Sequence, residues 1–478
     1  MNERRDSIYA VINLGSSYLS GLLAYKGSDG RVEPITAHRI PTHGCIRQGC
    51  IHNIEETARL ISLLIDRLSE SLPDGASITG VYVGLECRSM HAETYLASIQ
   101  LGEDGRIVTQ DDLKALEDEV NQAKYSGMEI LSVTDPRYRA DGKREYTPRG
   151  VRCRQLEATY QLVVARQNII TNVEETITKR LGLRLLGIIP TPIAEAVATL
   201  TTEESALGCA YVNIGGGTTS IAIYQERLLS ALYILPLGGD NITRDLTHLN
   251  TRLLESDAEL LKLQHGSMNT SVSKTLQIEA TSTTGGQSKT FSQLDINRYI
   301  DARVREILKN VISIIDEAGF GANVPKGLIL AGGVTRTDYF YDTLRKLRFE
   351  FREARLRRDV YAEGVSPEFV EEYASVIALA WGAKKEGVSY EVLPLETLME
   401  ERPEPAFSTI EPSRPSPSTT SGERLEGGYT FHNQTDPLPE EYAGEEEESR
   451  EESRVQRPSW ISRVKDQLTE IFDTGEDD

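Results

Sequence analysis

Three glycine-rich turns hold the residues best suited to chemistry. Near the N-terminus the chain reads Asn13-Leu14-Gly15-Ser16-Ser17, and in its middle Asn213-Ile214-Gly215-Gly216-Gly217-Thr218-Thr219. Each turn follows one short apolar run and opens a second, the pattern of a strand–turn–strand hairpin. Glycine lets backbone approach an anion closely, and successive N–H groups with small hydroxyls can cradle a phosphate. Two such hairpins facing each other would clamp a nucleoside triphosphate from both sides. A third turn, Leu330-Ala331-Gly332-Gly333-Val334, also follows an apolar run and offers bare backbone to a flat adenine or a ribose. Any one of these is an ordinary tight turn; their order and separation together make the phosphate-binding pattern.

The elements that must position these turns alternate between strand and helix patterns from Ser7 to about Gly387, which makes an α/β chain. Ile8–Leu14 and Gly21–Tyr25 read as the first hairpin. Ile54–Ser71 places Ile54, Ala58, Ile61, Leu64, Ile65 and Leu68 on one helical face. Val81–Leu85 reads as a strand and Asp111–Lys124 as a helix with an acidic start. Val212–Ile214, Ile221–Tyr224 and Leu228–Leu235 form a second strand set, Asp301–Ile315 a helix, and Gly327–Leu330 a buried strand. One strand–turn–strand arrangement thus occurs twice.

A net charge of −21 argues against nucleic acid as a partner, because a phosphate backbone rewards a basic surface. The five cysteines (Cys45, Cys50, Cys87, Cys153, Cys209) lack CxxC spacing and read as reduced thiols of a cytosolic protein. The N-terminus has no apolar leader core, and no run reaches the roughly 18 apolar residues of a spanning helix. The expectation is a protein neither exported nor transmembrane. Beyond about Tyr390, Pro, Ser, Thr and Glu dominate, so residues 391–457 are expected to be a disordered acidic linker.

The segment 458–473 regains pattern. Ser459 suits an N-cap, and Trp460, Ile461, Val464, Leu468, Ile471 and Phe472 share one helical face. A helix this short is marginal alone in water, so it should fold on a partner surface, a membrane interface or a protein groove. Asp473, Glu476, Asp477 and Asp478 trail it, which favours apolar insertion over attraction to anionic lipid.

The three turns resemble the phosphate and adenosine motifs of the actin-like ATPase superfamily, in the forms INLGSS, VNIGGGTTSIAIY and LILAGGVTR. The segments TPIAEAVATLT and EYASVIALAWGA look like its connecting helices. Within the superfamily, LPLGGDNITRDL at Leu235–Leu246, then Ser256-Asp257-Ala258-Glu259 and Lys262-Leu263-Gln264-His265-Gly266, resemble the FtsA family. The resemblance covers about residues 7–390 and resumes at the C-terminal helix. It implies a two-lobed actin-like (ribonuclease H-like) ATPase fold. Residues 7–80 and 161–204 would form subdomain 1A, 81–160 an inserted subdomain 1C, 205–245 and 326–390 subdomain 2A, and 246–325 subdomain 2B. It also implies ATP with Mg²⁺ as cofactors, Glu259 and Lys262 near ribose and adenine, and Asp240 near the cleft. Filament formation, the C-terminal tail of FtsZ and later divisome proteins as partners, and a place on the inner face of the bacterial cytoplasmic membrane at the septum follow from the same source. The tail would meet the helix carrying Arg298, Arg303, Arg305 and Lys309, with Arg303 foremost, and the terminal helix would bind lipid.

The chain departs from the superfamily where acidic residues usually stand: it has Asn13 and Asn213, and Ser220 nearby. Asparagine can still accept from a metal-bound water but cannot act as a base or offset the ion's charge. Nucleotide binding with weak hydrolysis is the expectation, and no catalytic residue is assigned; substitution by another carboxylate remains open. Two other functions fit the same fold. A PilM-like scaffold for pilus assembly leaves the linker and terminal helix unexplained. A small-molecule kinase needs a carboxylate at the phosphate loops, which the asparagines weaken.

Overall fold

The computed structural model describes residues 7–249, 253–280, 289–321, 323–346 and 350–389. The expected linker and terminal amphipathic helix lie outside the described residues. The first lobe opens with strands β1 (Ile8–Leu14), β2 (Tyr18–Lys26) and β3 (Val32–Pro41), paired antiparallel in sequence order. Helix α1 (Ile54–Ser69) is capped by the Asn53 side chain, which accepts from Glu56 N–H, and carries Glu55 and Glu56 in its first turn. Acids there complement the partial positive charge of the helix start. Leu60, Ile61, Leu64 and Leu68 are buried in the same core as Ile12, Leu14, Leu19 and Leu23. Strand β4 (Gly80–Leu85) then pairs parallel with β1, setting Asn13 opposite Gly84.

A separate layer follows, with strands β5 (His91–Gln100), β6 (Met128–Val133), β7 (Arg137–Ala140), β8 (Lys143–Glu145) and β9 (Gln155–Arg166) in one sheet. Helix α2 (Gln110–Asn121) closes that layer's own core through Leu116 and Val120, against Leu156, Tyr160 and Leu162. Its start is a capping box between Thr109 and Asp112. Arg106 also clasps Asp112 and, with the Thr109 bonds, holds its carboxyl well below the usual range. The insertion expected at 81–160 is therefore displaced. Residues 81–85 belong to β4 of the first-lobe sheet, and β9 runs to Arg166. An apolar run such as VYVGL looks alike in either sheet; only its parallel partners decide.

Strand β10 (Arg184–Pro190) pairs parallel with β4 and completes a sheet of order β10-β4-β1-β2-β3. Helix α3 (Thr191–Thr199) leads out of it towards the second lobe. There β11 (Cys209–Ile214), β12 (Thr219–Gln225) and β13 (Leu228–Leu235) repeat the antiparallel meander. Helices α4 (Gly239–Leu246), α5 (Glu255–His265) and α6 (Gln293–Glu317) follow. Strands β14 (Leu328–Ala331) and β15 (Phe351–Glu353) are parallel additions, giving the order β13-β12-β11-β14-β15. The two sheets share one topology, three antiparallel strands and then two parallel ones.

Helix α7 (Ala374–Gly382) does not stay with the second lobe. Val376, Ile377, Leu379 and Ala380 are buried in one cluster with Val11, Leu22 and Ala24 of the first-lobe sheet. Val388 then pairs with Ile78. The range 326–390 expected for the second lobe therefore ends before α7, whose apolar faces find their burial on β1 and β2. No helix among the described residues is long and apolar enough to cross a membrane.

Candidate functional site

The two loops expected to hold phosphate sit at equivalent places, between the first and second strands of each sheet. They touch: a Cβ added to Gly216 would lie 1.9 Å from Ser17 Oγ, and one on Gly217 would lie 2.5 Å from Ser16 Oγ. Glycine here permits an approach that no larger residue allows. The first loop is braced from behind. Ser16 Oγ accepts from Gly49 N–H at 3.0 Å, and Thr42 N–H donates to Ser17 C=O at 3.0 Å. The second loop rests on the start of α4, where Gly239 and Asp240 N–H donate to the carbonyls of Gly215 and Gly216 at 2.9 and 2.8 Å. Thr219 is anchored by its hydroxyl to Leu237 C=O at 2.8 Å. Between the lobes opens a cleft of about 1450 Å³, lined by Gly15, Ser16, Ser17, Gly215, Gly216 and Thr218. It lies at the carboxyl ends of the parallel strands, where open α/β sheets bind ligands.

Asn13 and Asn213 both reach this cleft, and neither side chain is idle. Asn13 Oδ1 accepts from Thr191 Oγ1 at 2.9 Å. Asn213 Nδ2 donates to Glu195 Oε2 at 2.6 Å, which turns its Oδ1 towards Gly332. Glu195 is 3% exposed and also accepts from Tyr211 Oη at 3.1 Å and from the Ser375 hydroxyl. It comes from α3 of the first lobe, two of its donors from β11 of the second, and the third from α7. Burial raises its pKa, while the three donors oppose that shift.

A second carboxylate, Glu86, stands just past the end of β4. Its Oε1 accepts from Thr218 Oγ1 at 2.8 Å across the cleft. Burial, and then the charge of Glu195, push its pKa up to about 8, against the hydroxyls of Thr218 and Ser220. Neither Glu86 nor Glu195 was singled out as a site residue from sequence. Each left a signal there: Glu86 is the acid ending the run VYVGL, and Glu195 is the acid inside the apolar stretch TPIAEAVA.

The wall expected to face adenosine is assembled from three segments. Lys262 Nζ meets Glu259 Oε2 at 2.6 Å, Thr243 Oγ1 at 2.8 Å and Gly239 C=O at 3.1 Å, so α4 and α5 are tied together at the cleft wall. Asp240 is half-buried beside Gly216, and burial raises its pKa while Lys262 opposes the shift. Gly332 has φ +101°, and a Cβ there would lie 2.3 Å from Ile214 C=O, so only glycine fits; beside Gly333 the space is open. Loops, Lys262, Glu259 and the Gly332-Gly333 turn thus line one cleft. Among the described residues no three His, Cys, Asp or Glu side chains are grouped to hold a metal unaided.

The four basic residues of α6 do not form one patch. At 3.6 residues per turn Arg298, Arg305 and Lys309 share a stripe, while Arg303 lies about 140° round the helix. Arg303 is held by Asp245 with Nε and Nη2 at 2.6 and 2.8 Å and by Glu306 at 2.5 Å. Arg305 pairs with Asp301 at 2.7 Å, and Arg298 is exposed.

Comparison with known proteins bears on the family and the fold. The family model described as cell division protein FtsA matches residues 210–409. Cell division protein FtsA of Porphyromonas gingivalis is 39% identical over 387 residues, 81% of this chain and 80% of that protein. The FtsA of Bacillus subtilis is 26% identical over 69% of this chain and 74% of its own length. Among solved structures, the PilM–PilN type IV pilus biogenesis complex has a similar fold, with a TM-score of 0.54 at 16% identity over 79% of this chain and 97% of that one. That likeness speaks to the fold alone, which is actin-like. With two fifths of the aligned residues identical across four fifths of both chains, this chain belongs to the FtsA family of cell division proteins.

Proposed function

We propose that the cleft binds ATP with Mg²⁺, that the bound nucleotide sets lobe closure, and that closed subunits polymerise into actin-like filaments tethering the FtsZ ring to the cytoplasmic membrane at the septum. The observation that carries this is the contact of the two phosphate loops, Gly216 and Gly217 against Ser17 and Ser16. Backbone N–H groups and hydroxyls of Gly15–Ser17 and Gly215–Thr219 would bind the phosphates, while Glu259 and Lys262 flank the ribose and adenine and Gly332-Gly333 receives the ring. Bound Mg²⁺ would offset phosphate charge, with Asn13 and Asn213 reached through water.

The remaining roles rest on family membership and on the sequence pattern. Helix α6 would receive the acidic and apolar FtsZ tail, an incoming carboxylate competing with Asp245 and Glu306 for Arg303. The terminal face Trp460, Ile461, Val464, Leu468, Ile471 and Phe472 would enter the lipid interface weakly, and a filament presenting many such tails would gain avidity without new contacts. The decisive experiment is co-sedimentation of the full chain with liposomes, with and without ATP, beside a chain lacking Trp460–Phe472. Liposome-bound filaments with ATP, and release on deletion with nucleotide affinity retained, are the expected results. Deleted protein that still pellets with lipid removes the anchor; absence of ATP binding removes the cleft assignment. An Arg303→Glu variant should lose affinity for an FtsZ tail peptide in fluorescence anisotropy, and equal affinity at an equal melting temperature removes that surface.

A further inference from the structure

The superfamily's acids are missing from this chain's loops, yet two carboxylates still reach them. We propose that Glu86 is the acidic group of the nucleotide site, standing in for the acids absent at Asn13, Asn213 and Ser220. In this role its carboxylate accepts hydrogen bonds from water molecules on a phosphate-bound divalent cation. The inference rests on the nucleotide-binding function proposed above.

Strand register shows how Glu86 gets there. Asn13 pairs with Gly84 in the first sheet, and Asn213 pairs with Ala331 in the second. Two residues further on stand Glu86 in the first lobe and Gly333 in the second. At equivalent points of one topology, one lobe brings a carboxylate and the other bare backbone. Glu86 is held rigidly to the first phosphate loop. A Cβ on Gly49 would lie 1.5 Å from Glu86 C=O, and Gly49 N–H itself donates to Ser16 Oγ. Arg88 N–H donates to Gln48 C=O at 3.3 Å, closing the same clasp.

The carboxylate of Glu86 faces the second loop, where Thr218 donates to it. A hydroxyl that donates to a carboxylate can donate to a phosphate oxygen instead, which would free Glu86 Oε1 for a water. Beside it is the fully buried Ser220 Oγ, close enough to act on the Glu86 carboxyl but making no hydrogen bond of normal geometry among the described residues. Buried hydroxyls are seldom left so, and water or an ion's hydration shell is the usual missing partner. The groups acting most strongly on Glu86 include the carboxylate of Glu195 and no cation. Two carboxylates with hydroxyl and amide donors only, facing a polyphosphate, leave a negative charge that a divalent cation would offset.

The test is the affinity of the full chain for a fluorescent ATP analogue, titrated in EDTA and in Mg²⁺ at a pH above about 8, where Glu86 is ionised even without nucleotide. The native chain should bind more tightly in Mg²⁺. Glu86→Gln should reverse the pattern: tighter binding in EDTA by about tenfold, because a carboxylate no longer repels phosphate, and no gain from Mg²⁺. Adding Asn13→Asp to that variant should restore the Mg²⁺ gain by returning an acid to the loop, since the Asn13 Oδ1 already accepts from Thr191 and an aspartate keeps that bond. Circular dichroism melting identifies any variant that has not folded, in which case Glu86→Asp replaces it and should keep a reduced Mg²⁺ gain. A Glu86→Gln chain that retains the full native Mg²⁺ gain, or a native chain that binds nucleotide equally in both buffers, overturns the role of Glu86 alone. A native chain that binds nucleotide in neither buffer overturns the proposed function as well.

Discussion

The two lobes are the same sheet built twice from unlike sequences, and their registers match residue for residue. Asn13 faces Ser20 in the first hairpin, and Asn213 faces Ser220 in the second. The fourth strand of each sheet, parallel to the first, then sets Gly84 beside Asn13 and Ala331 beside Asn213. The difference begins one step beyond the sheets. At the two loops the first lobe brings Glu86 and Glu195, and the second answers there with hydroxyls, amide groups and glycine, its own Glu259 standing further along the wall paired with Lys262. One topology used twice therefore yields asymmetric strand ends at the loops, with a carboxylate at Glu86 in one lobe and bare backbone at Gly333 in the other. That asymmetry suits a ligand whose charged end and flat end need different walls.

The largest effect should come from breaking the joint between lobes. Glu195→Leu leaves Asn213, Tyr211 and Ser375 donors without an acceptor in a buried place, at about 1–3 kcal/mol for each orphaned group. Urea denaturation should show a large drop in midpoint for Glu195→Leu and a much smaller one for Glu195→Gln, which keeps an acceptor. Equal losses would mean that packing, not hydrogen bonding, joins the lobes there.

Next is the glycine pair that distinguishes the second lobe. Gly332→Ala forces a side chain into a φ of +101° against the Ile214 carbonyl and should cost roughly 3 kcal/mol. Gly333→Ala meets open space and should change stability by less than about 0.5 kcal/mol. Gly333→Glu copies the first lobe's acid into the second. It should fold normally and weaken nucleotide binding, and unchanged affinity would mean that the two positions are not equivalent in the cleft.

A smaller, pH-dependent effect belongs to Glu86. Its folded pKa of about 8 lies above the ordinary 4.5, so the folded chain holds a proton that the unfolded chain has released between those values. The associated stability is complete below about pH 4.5 and is lost as pH rises towards 8. The slope cannot exceed about 1.4 kcal/mol per pH unit, and solvent in the open cleft should reduce it. Melting temperatures of the nucleotide-free chain between pH 5 and 8 should fall less steeply for Glu86→Gln than for the native chain; parallel curves would remove the charge asymmetry from the comparison.

Some of this could be read from the chain before any contact was known. The paired hairpins were legible because glycine, hydroxyls and short apolar runs act locally. Other parts were hidden by physics that is not local. Helix α6 was expected from Asp301, but it starts at Gln293, because two polar residues interrupt its apolar stripe. Gln293 and Asn297 are buried there and satisfied by each other and by the carbonyls of His265 and Asn269. The partner of Arg303 was equally hidden, because Asp245, 2.6 Å away, lies on another helix. Likewise VYVGL could have opened the insertion or closed the first sheet, and α7 could have stayed in either lobe.

By its own residues the chain determined where its turns fall, which runs become strands, and that loops rich in N–H groups and hydroxyls occur twice. Tertiary structure decided which acids meet those loops. Glu86 and Glu195 arrive through parallel strand pairing and helix docking, contacts between segments more than a hundred residues from Thr218 and Asn213 or lying across the inter-lobe joint. Local propensity carries no information about such pairings; only burial of both sheets against their helices selects them.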